Sequence, residues 1–179
     1  VGLACDEASH PPEKHIAMFQ AAQKIGLRTA CHAGEWTNTL PIKPNFERDL
    51  PLIIANIRTA VFDLKADRIG HAIGLACAPY LVRAVADFRI GIEGCPASNL
   101  FSGLITDVDQ LGIRRLLNRG VLYSLNPDDD LFMPDLGEVF KLCDDSYCFT
   151  DAERQALIDN AWLTRFGNRK HPDKPSVYF

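Results

Sequence analysis

The chain has 179 residues, 47% of them apolar and 23% charged, the composition of an ordinary globular domain with a core of its own. Its formal net charge of -4 argues against a binder of nucleic-acid phosphates, which presents a basic face. No apolar run reaches the roughly 18 residues of a membrane span, and the opening Val1-Gly2-Leu3-Ala4-Cys5-Asp6-Glu7 has neither the basic start nor the apolar stretch of a secretion signal.

Short apolar runs alternate with longer helical patterns. Val1 to Cys5 reads as a strand entered in mid-course, without an initiator Met, as in an excerpt of a longer chain. Pro11-Pro12-Glu13 opens a helix to about Ile25, with Ile16, Phe19, Ala22 and Ile25 three residues apart and Gly26 as its stop. Arg28 to His32 is the next strand, ended by Gly34. The stretch from Trp36 to Arg48 carries Pro41 and Pro44 and reads as an active-site loop. Pro51 to Leu64 is helical, Arg68 to His71 a very short strand, Tyr80 to Phe88 a helix and Arg89 to Glu93 a strand. A helix from Gln110 to Asn118 closes at Gly120, and Val121 to Leu125 is the fifth strand. Leu136 to Asp144 and Asp151 to Phe166 are helical, with Thr150 or Asp151 as the cap of the second. Strands alternating with helices imply parallel pairing through crossovers, either in an open doubly wound sheet or in part of a (β/α)8 barrel. Nothing divides the chain, so residues 1–179 read as one domain. The six cysteines form no Cys-x-x-Cys pair; Cys5, Cys31 and Cys95 read as small buried apolar groups, and the thiols as those of a reduced, cytoplasmic protein.

Chemically capable residues recur where strands end. The first run ends in Asp6-Glu7 and the second in His32 and Glu35. The third ends in His71, the fourth runs into Glu93, Cys95 and Ser98, and the fifth ends in Asn126, Asp128 and Asp129, followed by Asp130. A single polar residue there is an ordinary turn former or cap. Five in succession, on the face where parallel α/β folds bind ligands, point to one site. Imidazole with carboxylate suits a divalent metal of the zinc type. His32 and Asp128 are ligand candidates, and Glu35, His71 and Asp129 candidate acid, base or binding groups. Two ligands do not complete a catalytic zinc site, which ordinarily has three or more.

His32-Ala33-Gly34-Glu35, Gly70-His71, Cys95-Pro96-Ala97-Ser98-Asn99 and Ser124-Leu125-Asn126-Pro127-Asp128-Asp129 occur in the order and approximate spacing of the adenosine deaminase family. Leu3-Ala4-Cys5-Asp6-Glu7 before Pro11-Pro12-Glu13-Lys14, and Asn160-Ala161-Trp162 before Phe166, resemble its flanking segments, so the resemblance covers essentially the whole chain. It implies a (β/α)8 TIM barrel of the metal-dependent hydrolase type, here its fourth to eighth strands, with one Zn2+. By the same resemblance His32 and Asp128 match metal ligands, and Glu35 matches the acid that protonates purine N1. His71 matches the histidine that orients and deprotonates the attacking water, Asp129 the carboxylate at N7, and Ser98 a supporting serine. Cys5 stands where a glycine usually faces N3, Ala72 and Pro127 depart from the common pattern, and so does Asp130. The His-x-His pair of the family's first strand, which supplies further ligands, has no counterpart here; His10 and His15 read as surface residues.

The activity so implied is hydrolytic deamination of adenosine to inosine and ammonia, by zinc-bound hydroxide adding at C6. Alternatives are an adenine or other 6-substituted purine deaminase, and a non-catalytic purine-binding or signalling relative without a complete metal site. The expected partner is a small purine nucleoside or base, with neither nucleic acid nor membrane. Half a barrel leaves open sheet edges, so preceding chain or an assembly of copies, a homo-oligomer, is expected to complete it. An open-sheet nucleotide binder would need a glycine-rich loop after its first strand, and Val1 to Glu7 has none.

Overall fold

A computed structural model describes residues 1–35, 45–129 and 131–167. Five parallel strands pair in the order of the chain: β1 (Gly2–Leu3), β2 (Ala30–Ala33), β3 (Arg68–His71), β4 (Gly91–Gly94) and β5 (Leu122–Leu125). A doubly wound sheet reverses its strand order at a switch point; this one runs in one direction throughout, as barrel strands do. Between and after the strands lie α1 (Ile16–Lys24), α2 (Phe46–Phe62), α3 (Pro79–Asp87), α4 (Pro96–Phe101), α5 (Ile113–Leu117), α6 (Leu136–Tyr147) and α7 (Asp151–Thr164). No helix among the described residues is long and apolar enough to cross a membrane.

The strand register sorts side chains into two rows. Leu3, Cys31, Ile69, Ile92 and Tyr123 stand side by side and join Phe19, Ile53, Ile57, Val85 and Val139 in the apolar core. With the two-residue period of a strand, the next row, His32, Gly70, Glu93 and Ser124, turns to the opposite face. Core packing thus leaves that face for polar groups.

Helix ends follow local chemistry. Asn45 accepts the Arg48 N–H and starts α2 one turn ahead of the expected Pro51. Pro51 lies inside this helix, where it cannot donate to the carbonyl four residues before it. Thr150, not Asp151, caps α7, in a reciprocal box with Glu153. The expected helix from Gln110 is split by Gly112 at φ 63 into a short 3-10 turn and α5. The α4 helix, absent from the sequence reading, begins directly after Cys95. α7 packs against β4 and β5, where buried Asn160 donates its Nδ2 to the Tyr123 carbonyl at 3.0 Å.

Candidate active site

The chain leaves each strand by a sharp turn, and these turns bring the reactive groups together. His32 lies in β2 opposite Gly70 of β3. Its ring occupies the space of the absent side chain: a Cβ on Gly70 would lie 2.8 Å from His32 Cδ2. Gly34 then takes φ 79, with Ile57 2.7 Å from the place of its missing Cβ. Only glycine satisfies both the left-handed backbone and the close approach. The turn carries Glu35 back over the strand ends, where its Oε2 lies 3.2 Å from His71 Nε2 and 3.5 Å from His32 Nδ1. The two imidazoles meet edge to face at 4.6 Å.

His71 is fully enclosed, and its Nδ1 lies 3.0 Å from Asn99 Oδ1 on α4. An amide oxygen only accepts, so Nδ1 carries the hydrogen in this pairing and Nε2 is the ring nitrogen that faces Glu35. His32 Nδ1 and His71 Nε2 are buried without a hydrogen-bond partner. Burial lowers the pKa of His32, but the adjacent Glu35 carboxylate, followed by the charges of Asp128 and Glu93, outweighs it and holds the group above its ordinary 6.5. The same carboxylates attract any cation placed beside His32.

Among the described residues, two donor sets have converging atoms: His32, Glu35 and His71, and His71, Cys95 and Asp128. Burial, followed by the charge of Asp128, pushes the Cys95 thiol well up. A cleft of about 590 Å³ opens over this cluster, lined by Ala4, Cys5, Asp6, His32, Glu35, Asp128 and Asp129. Its size falls within the range of small-molecule sites, roughly 300–1,000 Å³.

The backbone around the cleft is strained. Cys5 (φ 76), His71 (φ 64), Ala72 (φ 48) and Asp128 (φ 77) are non-glycine residues in left-handed conformations, each of which costs about 1–3 kcal/mol. At His71 the Ala72 N–H closes on the Gly70 carbonyl at 2.9 Å and on Ala33 O at 3.1 Å. With a positive φ at its centre, the first of these contacts makes the rarer, strained form of γ-turn.

The family model described as adenosine deaminase matches residues 1–172. This chain belongs to the adenosine deaminase family. An adenine deaminase of Paraburkholderia xenovorans is 31% identical over 167 residues, which cover 93% of this chain and 43% of that protein. The adenine deaminase of Arthrobacter aurescens superposes with a TM-score of 0.76 at 24% identity, over 93% of this chain and 47% of that one. An amidohydrolase of Burkholderia ambifaria, solved with bound Zn, gives 0.74 at 23% identity over 93% and 43%. The chain therefore spans less than half the length of these relatives, and its five strands are an arc of the (β/α)8 barrel.

Against this adenosine deaminase framework, His32, Glu35, Asp128 and Asp129 line one cleft with His71 enclosed beside Glu35, while His32 and Asp128 fall in separate sets of converging donors. Asp130 and residues 36–44 of the expected loop lie outside the described residues, whereas residues 46–48 belong to α2. Cys5 corrects an expectation. It is exposed, unlike the buried Cys31 and Cys95, because β1 ends at Leu3 and the left-handed turn at Cys5 swings the residue into the cleft wall. Two residues given no role by the sequence hold the others in place. Asn99 sets the His71 ring, although the motif drew attention to its neighbour Ser98. Glu7, 4% exposed, accepts hydrogen bonds from the Gly34 and Glu35 backbones. The motif Cys95 to Asn99 contained the first signal. The second lay in the Asp6-Glu7 pair, with nothing to say where Glu7 turned.

Proposed function

We propose that the protein carrying this chain is a metal-dependent hydrolase that replaces the 6-amino group of a purine, adenosine or adenine, with oxygen and releases ammonia. The observation that carries this reading is the Glu35 carboxylate set 3.2 Å from Nε2 of enclosed His71. Two acceptors at that separation hold a proton or a cation between them. A proton donor beside a base is what hydrolysis of an amidine carbon requires. The orphaned nitrogens of His32 and His71 beside carboxylates fit a divalent ion such as Zn2+, which His32 and Asp128 would hold, with further ligands from outside this chain. When bound, such an ion lowers the pKa of water towards neutrality.

The chain's own groups do the rest. His71, with Nδ1–H fixed on Asn99, offers Nε2 to take a proton from the attacking water. Glu35 delivers its proton to ring N1, which takes up the C6–N1 π pair as the water oxygen bonds to C6. Asp129 at the rim meets the N7 edge, one of the two partners carrying the proton. A proton passes to the amino nitrogen, the C6–N bond breaks, and ammonia and a 6-oxopurine leave. The base adenine is a second reading, supported by the relative of Paraburkholderia xenovorans named adenine deaminase, which is 31% identical.

The decisive experiment is purine turnover by the full-length protein. Ammonia release is expected from adenosine or adenine, with adenosine monophosphate as the third substrate compared. Glu35→Gln should lower kcat about 10²- to 10⁴-fold. Near-normal turnover by that variant removes Glu35 as the acid, and a wild-type protein inert towards all three purines removes the reading.

A further inference from the structure

The conformation of Glu35 is set from another strand. Gly34, immediately before it, must be glycine for the approach of Ile57 and for its φ of 79. Glycine has the widest backbone freedom of any residue, so this sequence by itself leaves the direction of Glu35 undefined. Glu7, beyond the end of β1, reaches across and takes one N–H on each carboxylate oxygen: Gly34 N–H on Oε1 at 2.7 Å and Glu35 N–H on Oε2 at 2.9 Å. Asn56 of α2 donates its Nδ2 to Oε1 at 2.5 Å. Successive backbone N–H groups turned on one anion form a concave cradle. A carboxylate is costly to bury without such partners, and Glu7 is 4% exposed.

We propose that Glu7 is a positioning residue for Glu35: by bridging the Gly34 and Glu35 amides it fixes the turn between them and holds the Glu35 carboxyl against His71. Glu7 touches no reacting atom in this scheme. It acts through the backbone, and the inference rests on the reading of Glu35 as the proton donor.

Glu7→Gln in the full-length protein tests it. The variant keeps the size of the side chain but replaces one accepting oxygen with an NH2 that meets an N–H. A fall in kcat of about 10- to 100-fold is expected, the scale of a misplaced reacting group, with KM and metal content unchanged. In the Glu35→Gln background the same change should cost nothing further, because the group it orients is gone. Unchanged kcat, or losses that multiply in the double variant, overturn the proposal. Should Glu7→Gln fail to fold, the wild-type protein labelled with 15N glycine and glutamate decides instead. Slow hydrogen exchange and downfield shifts at the Gly34 and Glu35 amides are expected, and solvent-like exchange at both overturns the bridge. A wild-type protein that deaminates no purine defeats the functional reading, while the amide measurement still tests the bridge separately.

Discussion

At Gly70 the lack of a side chain decides where His32 sits. The ring of His32 fills that space, and a methyl group there would meet it at 2.8 Å. Gly70→Ala is therefore expected to tilt His32 and weaken Zn2+ binding by the full-length protein about 10- to 100-fold, as the loss of a ligand's support does. Competition with a chromophoric chelator measures it; an unchanged Kd would show that the ring yields without consequence. This steric demand was invisible in the sequence, because strand register had first to place Gly70 beside His32. The residues named by the motif, His32 and Glu35, were legible because their types and spacing carry chemistry. Glu7 and Asn99 act by what they touch: Glu7 bonds 27 and 28 residues away in sequence, and Asn99 bonds 28 away. No local pattern encodes contacts of that range.

Elements were legible where local chemistry governs them. The apolar spacing placed α1, but its start is a separate 3-10 turn over Pro12–His15, and Ile25, expected on the apolar face, is 75% exposed beyond its end, before Gly26 at φ 78. The boundaries that differed were settled by side chains reaching back to the backbone: Asn45 at α2, and Thr150 at α7. At α7 the same cap has a consequence in acid. Glu153 completes the Thr150 box and pairs with Arg114 of α5 at 2.5 Å. The Arg114 hydrogen bond first, then the Thr150 backbone N–H, hold its carboxyl at about 2, down from an ordinary 4.5. Since the unfolded chain takes up this proton near 4.5 and the folded one near 2, the stabilisation is complete above the higher value. It fades as the pH falls through the lower. Glu153→Gln should flatten the loss of thermal stability over that window, read from unfolding midpoints by circular dichroism. A slope identical to wild type would place the acid sensitivity elsewhere.

For the whole molecule, alternation of strand and helix foretold parallel pairing, and only the motif resemblance chose the barrel over an open sheet. Unreversed strand order agrees with that choice, and strand order is a long-range property. The distribution of thiols over the molecule was misread at one place, because burial had been inferred from apolar neighbours in sequence. Cys31, Cys95 and Cys143 are enclosed, and burial pushes the Cys143 thiol up to about 12. Cys5, Cys77 and Cys148 are exposed, and of these Cys5 alone lines the cleft. Iodoacetamide is therefore expected to alkylate Cys5 and to block turnover by filling the mouth. A bound 6-oxopurine should slow the reaction at Cys5 and leave Cys77 and Cys148 unaffected. A Cys5→Ser protein should keep its activity through the treatment, and mass spectrometry of the labelled peptides locates the adduct. Equal inactivation of that variant would show that the blocking thiol lies elsewhere. The wall residue of the cleft is thus also its expected point of chemical vulnerability: an oxidant or electrophile that finds this thiol would obstruct the site without touching Glu35 or His71.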